Sequence, residues 1–220
     1  MKQKSRSYNL LCPISRALDH VGDRWTLLIL RDLHAGPARF KDLQTGLAGI
    51  ASNLLSDRLQ ALEKSGLIRK TEGEFGVSLY SLTERGERTG ELIFELARFG
   101  SLMPRPQNIQ KPGNLRTVAV SLGTASKRAI GPVHDFTATL VIDGEEFRMI
   151  AKDGDAQIRA GAAVNPDVVM TTSYEPIMAL ADGEIQQSDF LSNHMDLEVH
   201  TPGKQAELMD LLTRAIHEFD

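Results

Sequence analysis

The chain has 220 residues, enough to bury one large core or two small ones, and its 41% hydrophobic and 25% charged content is that of an ordinary soluble globular protein. Aromatic residues make up only 5%, which argues against a surface of stacking platforms for single-stranded nucleic acid. The net charge of -4 is unevenly divided: residues 1–104 carry 15 Lys and Arg against 12 Asp and Glu (+3), and residues 105–220 carry 10 against 17 (-7), an asymmetry that suggests two modules with different partners, the first compatible with phosphate.

The N-terminus, MKQKSRSYNLLCPISRALDH, is basic but lacks an uninterrupted apolar segment followed by a small-residue cleavage site, so it does not read as a secretion signal. No apolar run approaches the ~18 residues that would span a bilayer, and the expectation is a cytoplasmic protein with no membrane partner. Cys12 is the lone cysteine, which excludes an intramolecular disulfide framework and a multi-cysteine zinc site. A buried thiol, a reactive sensor thiol and a disulfide between two copies stay open.

Pro13 suits the first turn of a helix running to about Val21, with Ile14, Ala17, Leu18 and Val21 at helical spacing and Gly22 ending it. Asp23 then caps a second helix, Arg24 to His34, apolar nearly all round and therefore central; Gly36 and Pro37 stop it. Arg39 to Leu47 reads as a short third helix through Phe40, Leu43 and Leu47, and Gly46 and Gly49 bracket a turn into a fourth, Ile50 to Gly66. A short turn between two short helices is the helix-turn-helix pattern. The fourth helix has two unlike faces. Leu55, Leu59 and Leu62 fall on one side, and Asn53, Asp57, Gln60 and Lys64 on the other, where Asn and Gln are the side chains able to grip adenine through two hydrogen bonds.

After a C-cap at Gly66, residues 67–71 look extended, residues 72–76 turn, and Val77 to Leu82 alternates, making a β-hairpin. Thr83 caps a long helix through about Leu102 whose stripe of Leu92, Ile93, Leu96 and Phe99 must pack on its own domain or on the same helix of a second subunit. Three prolines and a glycine in residues 103–114 rule out a regular element, so residues 104–114 read as a linker between domains at 1–103 and 115–220.

The order of helices, turn, hairpin and final helix is the winged-helix arrangement. Cys12-Pro13, Ala17-Leu18, the run from Gly22 to Arg31 (GDRWTLLILR), Gly36-Pro37, Arg39-Phe40, Leu43, Gly49-Ile50, Leu54-Leu55, Arg58-Leu59, Leu62-Glu63, Gly66-Leu67 and residues 80–83 (YSLT) resemble the HxlR family of bacterial transcriptional regulators over roughly residues 8–102. The resemblance implies a homodimer on double-stranded DNA, one winged helix per half-site, with the terminal helices in the dimer contact. By position it implies Ser52, Asn53, Ser56, Asp57 and Gln60 as the recognition face, with Asn53 and Gln60 reading base edges. Arg39, Lys41, Arg69 and Lys70 would meet phosphates, and Arg58 would reach a phosphate or an acidic neighbour. Cys12 occupies the position of a cysteine that senses electrophiles or oxidants in some members, and the helix N-terminus beside it would favour a thiolate. The chain departs from the family pattern in three places. Ala51-Ser52 stands where Ser-Pro is common, so Ser52 must cap the helix. Asn53 and Asp57 lie where basic residues are frequent. Residues 72–76 make a short acidic wing that the DNA backbone would repel.

Beyond the linker, residues 136–143, 146–152, 157–159 and 168–172 read as strands, Asp143-Gly144 and Asp153-Gly154 as turns, residues 174–181 and 186–191 as short helices, residues 194–201 as a strand, and residues 204–219 as a final helix. The class is α+β: an N-terminal winged helix-turn-helix followed by a module similar to the sterol-carrier-protein-like fold. That likeness rests on residues 140–144 (LVIDG), 166–172 (PDVVMTT), 179–183 (ALADG) and 197–200 (LEVH). It implies an apolar effector in a tunnel lined by Phe136, Leu140, Phe147, Met149, Ile158, Met178, Phe190 and Met195, residues that serve equally as plain core. No catalytic constellation, metal site or cofactor site stands out: His194 and His200 lack a third ligand, and Ser126, His134 and Asp135 fall in what reads as a Gly-rich loop without a nucleophile elbow. The alternative to a regulator is a lipid carrier or interaction protein whose winged helix serves mainly for dimerisation.

Overall fold

The computed structural model describes residues 7–73, 76–104 and 112–219; the wing-tip residues Glu74 and Phe75 and most of the proline-rich linker fall outside them. The chain folds as a mixed α+β protein with an N-terminal winged helix-turn-helix and a C-terminal five-stranded sheet.

The N-terminal half follows the expected order. Helix α1 (Pro13–Val21) starts where Cys12 is still extended and proline's missing N–H costs nothing. Helix α2 (Thr26–His34) is started by the Asp23 carboxylate, which accepts the amides of Trp25 (3.0 Å) and Thr26 (3.2 Å). Helices α3 (Phe40–Gly46) and α4 (Ser52–Lys64) make the helix-turn-helix. Leu55, Leu59 and Leu62 of α4 are fully buried against Ile29, Leu30, Leu33 and Leu43, each such side chain stabilising the fold by roughly 1.5–3 kcal/mol. Gly66, at φ +71°, ends α4 in the left-handed region, and the Leu67 amide turns back to the Leu62 carbonyl at 3.1 Å.

The wing pairs strand β2 (Ile68–Glu72) with strand β3 (Ser78–Leu82), and a third strand, β1 (Ala38–Arg39), joins the other edge of β3, an addition that two residues after a proline do not announce. The helix expected over residues 83–102 is divided into α5 (Glu84–Glu87) and α6 (Thr89–Ser101). Thr83 caps it as expected, accepting the Gly86 amide at 3.1 Å.

Helix α7 (Thr117–Ala129) corrects the sequence reading, which placed Ser126 in a loop. Its pattern is muted because four of its buried positions, Ala119, Gly123, Ala125 and Ser126, are small; Gly123 lies against Ile158 of the sheet and Ala125 against Phe94 and Ala215. Strands β4 (Phe136–Ile142), β5 (Glu145–Lys152), β6 (Asp155–Ala160), β7 (Val168–Thr172) and β8 (Met195–Val199) form one sheet in the order β6-β5-β4-β7-β8. The two Asp-Gly turns are two-residue hairpin loops with positive φ at both positions. The antiparallel meander stops there, since β7 pairs with β4 in parallel. Helices α8 (Tyr174–Ala181) and α9 (Gln187–Asn193) lie between β7 and β8, and α10 (Lys204–His217) joins α7 over the core side of the sheet.

The two halves share packing. Val120 of α7 belongs to the N-terminal core, Ala35 to the C-terminal core, and Phe94 of α6 meets Phe219 edge to face at 5.0 Å. Among the described residues, no helix is long and apolar enough to cross a membrane, and no group of three His, Cys, Asp or Glu could hold a metal ion.

Candidate nucleic-acid interface

The face of α4 opposite its leucines carries Ser52, Asn53, Ser56, Asp57 and Gln60, all exposed. The helix is held from both sides. Ser52 is the first helical residue and does not cap; its hydroxyl accepts a hydrogen bond from Gln44 Nε2 of α3 at 2.5 Å, which ties the two helices across their turn. The cap position is Ala51, so the expected serine cap is replaced by this bridge. Arg58 reaches an acidic neighbour: its Nε lies 3.2 Å from Asp23 Oδ1, an ion pair approached off the hydrogen-bonding direction. Asp23 therefore both starts α2 and holds α4. The sequence indicates Asp23 as the cap of α2 but not as the partner of Arg58, nor Gln44 as the tie to Ser52: spacings of 35 and eight residues carry no local signal.

The four cations expected on phosphates are exposed. Arg39 forms a fork with Asp42, Nη2 to Oδ1 at 2.9 Å and Nε to Oδ2 at 3.0 Å, which holds the Asp42 carboxyl below its ordinary range and raises the guanidinium. Its charge is therefore shared before any DNA arrives. Strand β1 brings Arg39 into the wing sheet, opposite Leu79 and two strand spacings, about 9–10 Å, from Thr71. By the alternation of strands Arg39 and Arg69 share the outer face, while Lys70 lies on the other, its Nζ 5.9 Å from the centre of the Tyr80 ring. Lys41 is on the first turn of α3.

Cys12 stands before α1, half-exposed, and the backbone amides of Ser15 and Ile14, with the Ser15 hydroxyl, pull its thiol below the ordinary value. Of the eight residues assigned to an apolar tunnel, Phe136, Leu140, Phe147, Met149 and Ile158 meet in one core with Leu208 and Leu211 of α10. Phe190 is buried on α9 with its ring stacked on His194, and Met178 and Met195 are half-buried. Two open clefts have volumes of about 300 and 340 Å³: the first lies between α3 and β5, with Asp42, Asn114, Arg116 and Glu146, and is bordered by Phe147 and Ala160; the second, predominantly polar, lies beside α8 and α9, with Ser173, Asn193 and Asp196, and is bordered by Met195. His134 has both ring nitrogens engaged, one by the Gly131 amide and one by Asp210, and Ser126 is buried without a hydrogen-bond partner, so the two do not form a nucleophile and base.

Comparison with known proteins bears on residues 20–108, which match the HxlR-like helix-turn-helix family. The HTH-type transcriptional regulator YtfH of Escherichia coli is 35% identical over 102 residues, 44% of this chain and 81% of YtfH. The HTH-type transcriptional regulator YodB of Bacillus subtilis is 36% identical over 101 residues, 44% of this chain and 90% of YodB. Among solved structures, the reduced form of B. subtilis YodB aligns at 26% identity over 45% of this chain and 100% of that one, with a TM-score of 0.39.

Proposed function

This chain belongs to the HxlR-like helix-turn-helix family of transcriptional regulators, and from that premise we propose that it works as a homodimer reading a two-fold operator, one winged helix in each half-site. The observation that carries the reading is α4, which buries every leucine of one face and leaves five polar side chains exposed on the other, braced by Gln44 and Asp23. Asn53 and Gln60 read base edges; Arg39, Lys41, Arg69 and Lys70 hold the backbone. The dimer forms through α1 and α6. Leu92, Leu96, Phe99 and Met103 make one exposed stripe at helical spacing, and Leu11, Ile14 and Leu18 expose more apolar surface at α1, an amount that soluble monomers rarely leave uncovered.

Titration of duplex operator against salt tests the reading. Roughly eight phosphate contacts per dimer give a slope of log affinity on log salt of about -7. Asn53→Ala weakens the specific complex by about 1–3 kcal/mol and leaves non-specific binding unchanged. Absence of any specific complex at low salt refutes the proposal, and equal loss on all sequences refutes the base-reading role of Asn53.

A second reading, an apolar effector bound in the C-terminal half as in sterol-carrier-like proteins, is supported by α8. Ile177, Met178 and Leu180 give this helix an apolar composition, yet none of its residues is fully buried, so it covers the core without being locked into it.

A further inference from the structure

The last carbonyls of a helix are closed incompletely from within, and at the end of α2 the chain's own turn supplies the Ala35 amide to the Asp32 carbonyl at 3.3 Å and the Gly36 amide to that of Leu33 at 3.0 Å. The C-terminal half supplies the further donors. Arg116, at the start of α7, donates from Nε to the Asp32 carbonyl at 2.8 Å and from Nη2 to the carbonyls of Gly36 and Pro37, the latter at 3.3 Å. Arg159 of β6 donates from Nη1 to the His34 carbonyl at 2.6 Å and from Nη2 to Glu87 at 3.3 Å. The Ala160 amide donates to the Ala35 carbonyl at 2.8 Å. Asn114 Nδ2 reaches the Asp42 carbonyl of α3 at 3.2 Å. Five carbonyls at the end of α2 and in its connection to α3, those of Asp32, His34, Ala35, Gly36 and Pro37, thus accept donors from 79 or more residues away. Two guanidinium groups at a helix C-terminus also meet the negative end of its dipole.

A second grip lies on α6. Arg128 of α7 donates to Glu91 and, at 2.8 Å, to Glu95, with its guanidinium 4.6 Å above the centre of the buried Phe94 ring. These contacts take the side of α6 that carries Phe94, and the stripe of Leu92, Leu96 and Phe99 stays exposed. The same α7 therefore holds the helix that leads into the reading head and the helix that carries the dimer stripe.

We propose that the C-terminal half is a built-in brace: Arg116 and Arg159 lock the α2–α3 connection, Arg128 locks α6, and the rigid body between them sets how far apart the two recognition helices stand in the dimer. The brace rests on the DNA-reading dimer proposed above. It makes the second half a determinant of half-site spacing, although its acidic charge keeps it from meeting the DNA itself.

The test uses the full chain. Hydrogen exchange without DNA is followed over residues 33–47 in Arg116→Ala and Arg159→Ala, with Arg148→Ala, exposed on β5, as control, and operator affinity is measured on duplexes whose half-site spacing is varied by one or two base pairs. Both clasp variants should exchange at least tenfold faster over residues 33–47 and lose at least tenfold of the discrimination between optimal and altered spacings, with the control unchanged. Arg116→Lys, which keeps the charge but not the fork, falls between and serves where the alanine variant does not fold. Unchanged exchange over residues 33–47 overturns the brace, and so does faster exchange with spacing discrimination intact. A wild-type protein without any specific complex refutes the operator reading instead, and with it the spacing role, while the exchange result still decides whether the clasps hold the connection.

Discussion

Phe99 measures the proposed dimer most directly. It sits in the middle of the α6 stripe with 60% of its surface exposed. A phenylalanine buries about 200 Å² when covered, so roughly 120 Å² is available to a partner, which at ~25 cal/mol per Å² corresponds to ~3 kcal/mol. Alanine retains part of that contact, leaving a loss of ~2 kcal/mol for each copy. A two-fold interface uses the residue twice, so Phe99→Ala should weaken dimerisation by ~4 kcal/mol, about a thousandfold in dissociation constant. Sedimentation equilibrium over nanomolar to micromolar concentration reads this without DNA. The matched control is Val133→Ala, an exposed apolar residue in the loop before β4, where no change is expected. A dissociation constant that moves less than tenfold in Phe99→Ala, or equally in both variants, refutes a dimer built on α6.

Three further outcomes follow from the joint and from α1. A Cβ at Gly46, at the end of α3, would land on the Asn114 amide and the Asp32 carboxylate, so Gly46→Ala should lower stability by about 1–3 kcal/mol in denaturant unfolding; a loss below about 0.5 kcal/mol contradicts the tight joint. His34 is buried and donates to Thr89, and burial, with Arg159 nearby, pushes its pKa down to about 4, outweighing the half-exposed Glu87 at 3.5 Å. Because the unfolded chain then takes the proton first, the stability from His34 is complete above about pH 6.5 and is lost as pH falls toward about 4, on the order of 3 kcal/mol; His34→Gln should flatten that part of the stability curve, and an unchanged curve sinks the assignment. Cys12 should alkylate with a midpoint below that of free cysteine, measured by the pH dependence of bimane labelling, and Cys12→Ser should abolish any oxidant response of operator binding; a midpoint at or above the free value excludes a sensor thiol.

The elements legible in the sequence are those whose signals are local and strong. The leucine face of α4, the Gly66 C-cap, the Thr83 cap and the Asp-Gly hairpin turns each follow from residues close together in the chain, Leu55 to Leu62 being the widest span, and each is found in place. Helix α7 is not legible because, beside Val118 and Val120, its buried positions are Ala119, Gly123, Ala125 and Ser126, small residues that stand out little in a pattern of hydrophobicity. Strand β1 escaped because two residues have no period, and its partner Tyr80 lies 42 positions away. The parallel pairing of β7 with β4 is a matter of topology, and the alternation of a strand reads the same whichever way its neighbour runs.

The charge division shows why the joint could not be read in advance. A balance of +3 over residues 1–104 and -7 over residues 105–220 looks like two independent modules. Yet Arg159 and Arg128 cross from the acidic half to Glu87, Glu91 and Glu95 of the basic one. These three carboxylates lie on α5 and α6, away from α4, and the C-terminal arginines neutralise them. With those three acids paired and Arg39 and Arg58 engaged by Asp42 and Asp23, the exposed charges left on α3, α4 and the wing strands are Lys41, Lys64, Arg69 and Lys70 against Asp57, Glu63 and Glu72. The charge a DNA backbone meets is set by which acids are already paired, and that pairing depends on guanidinium groups that look, in one dimension, like ordinary surface cations.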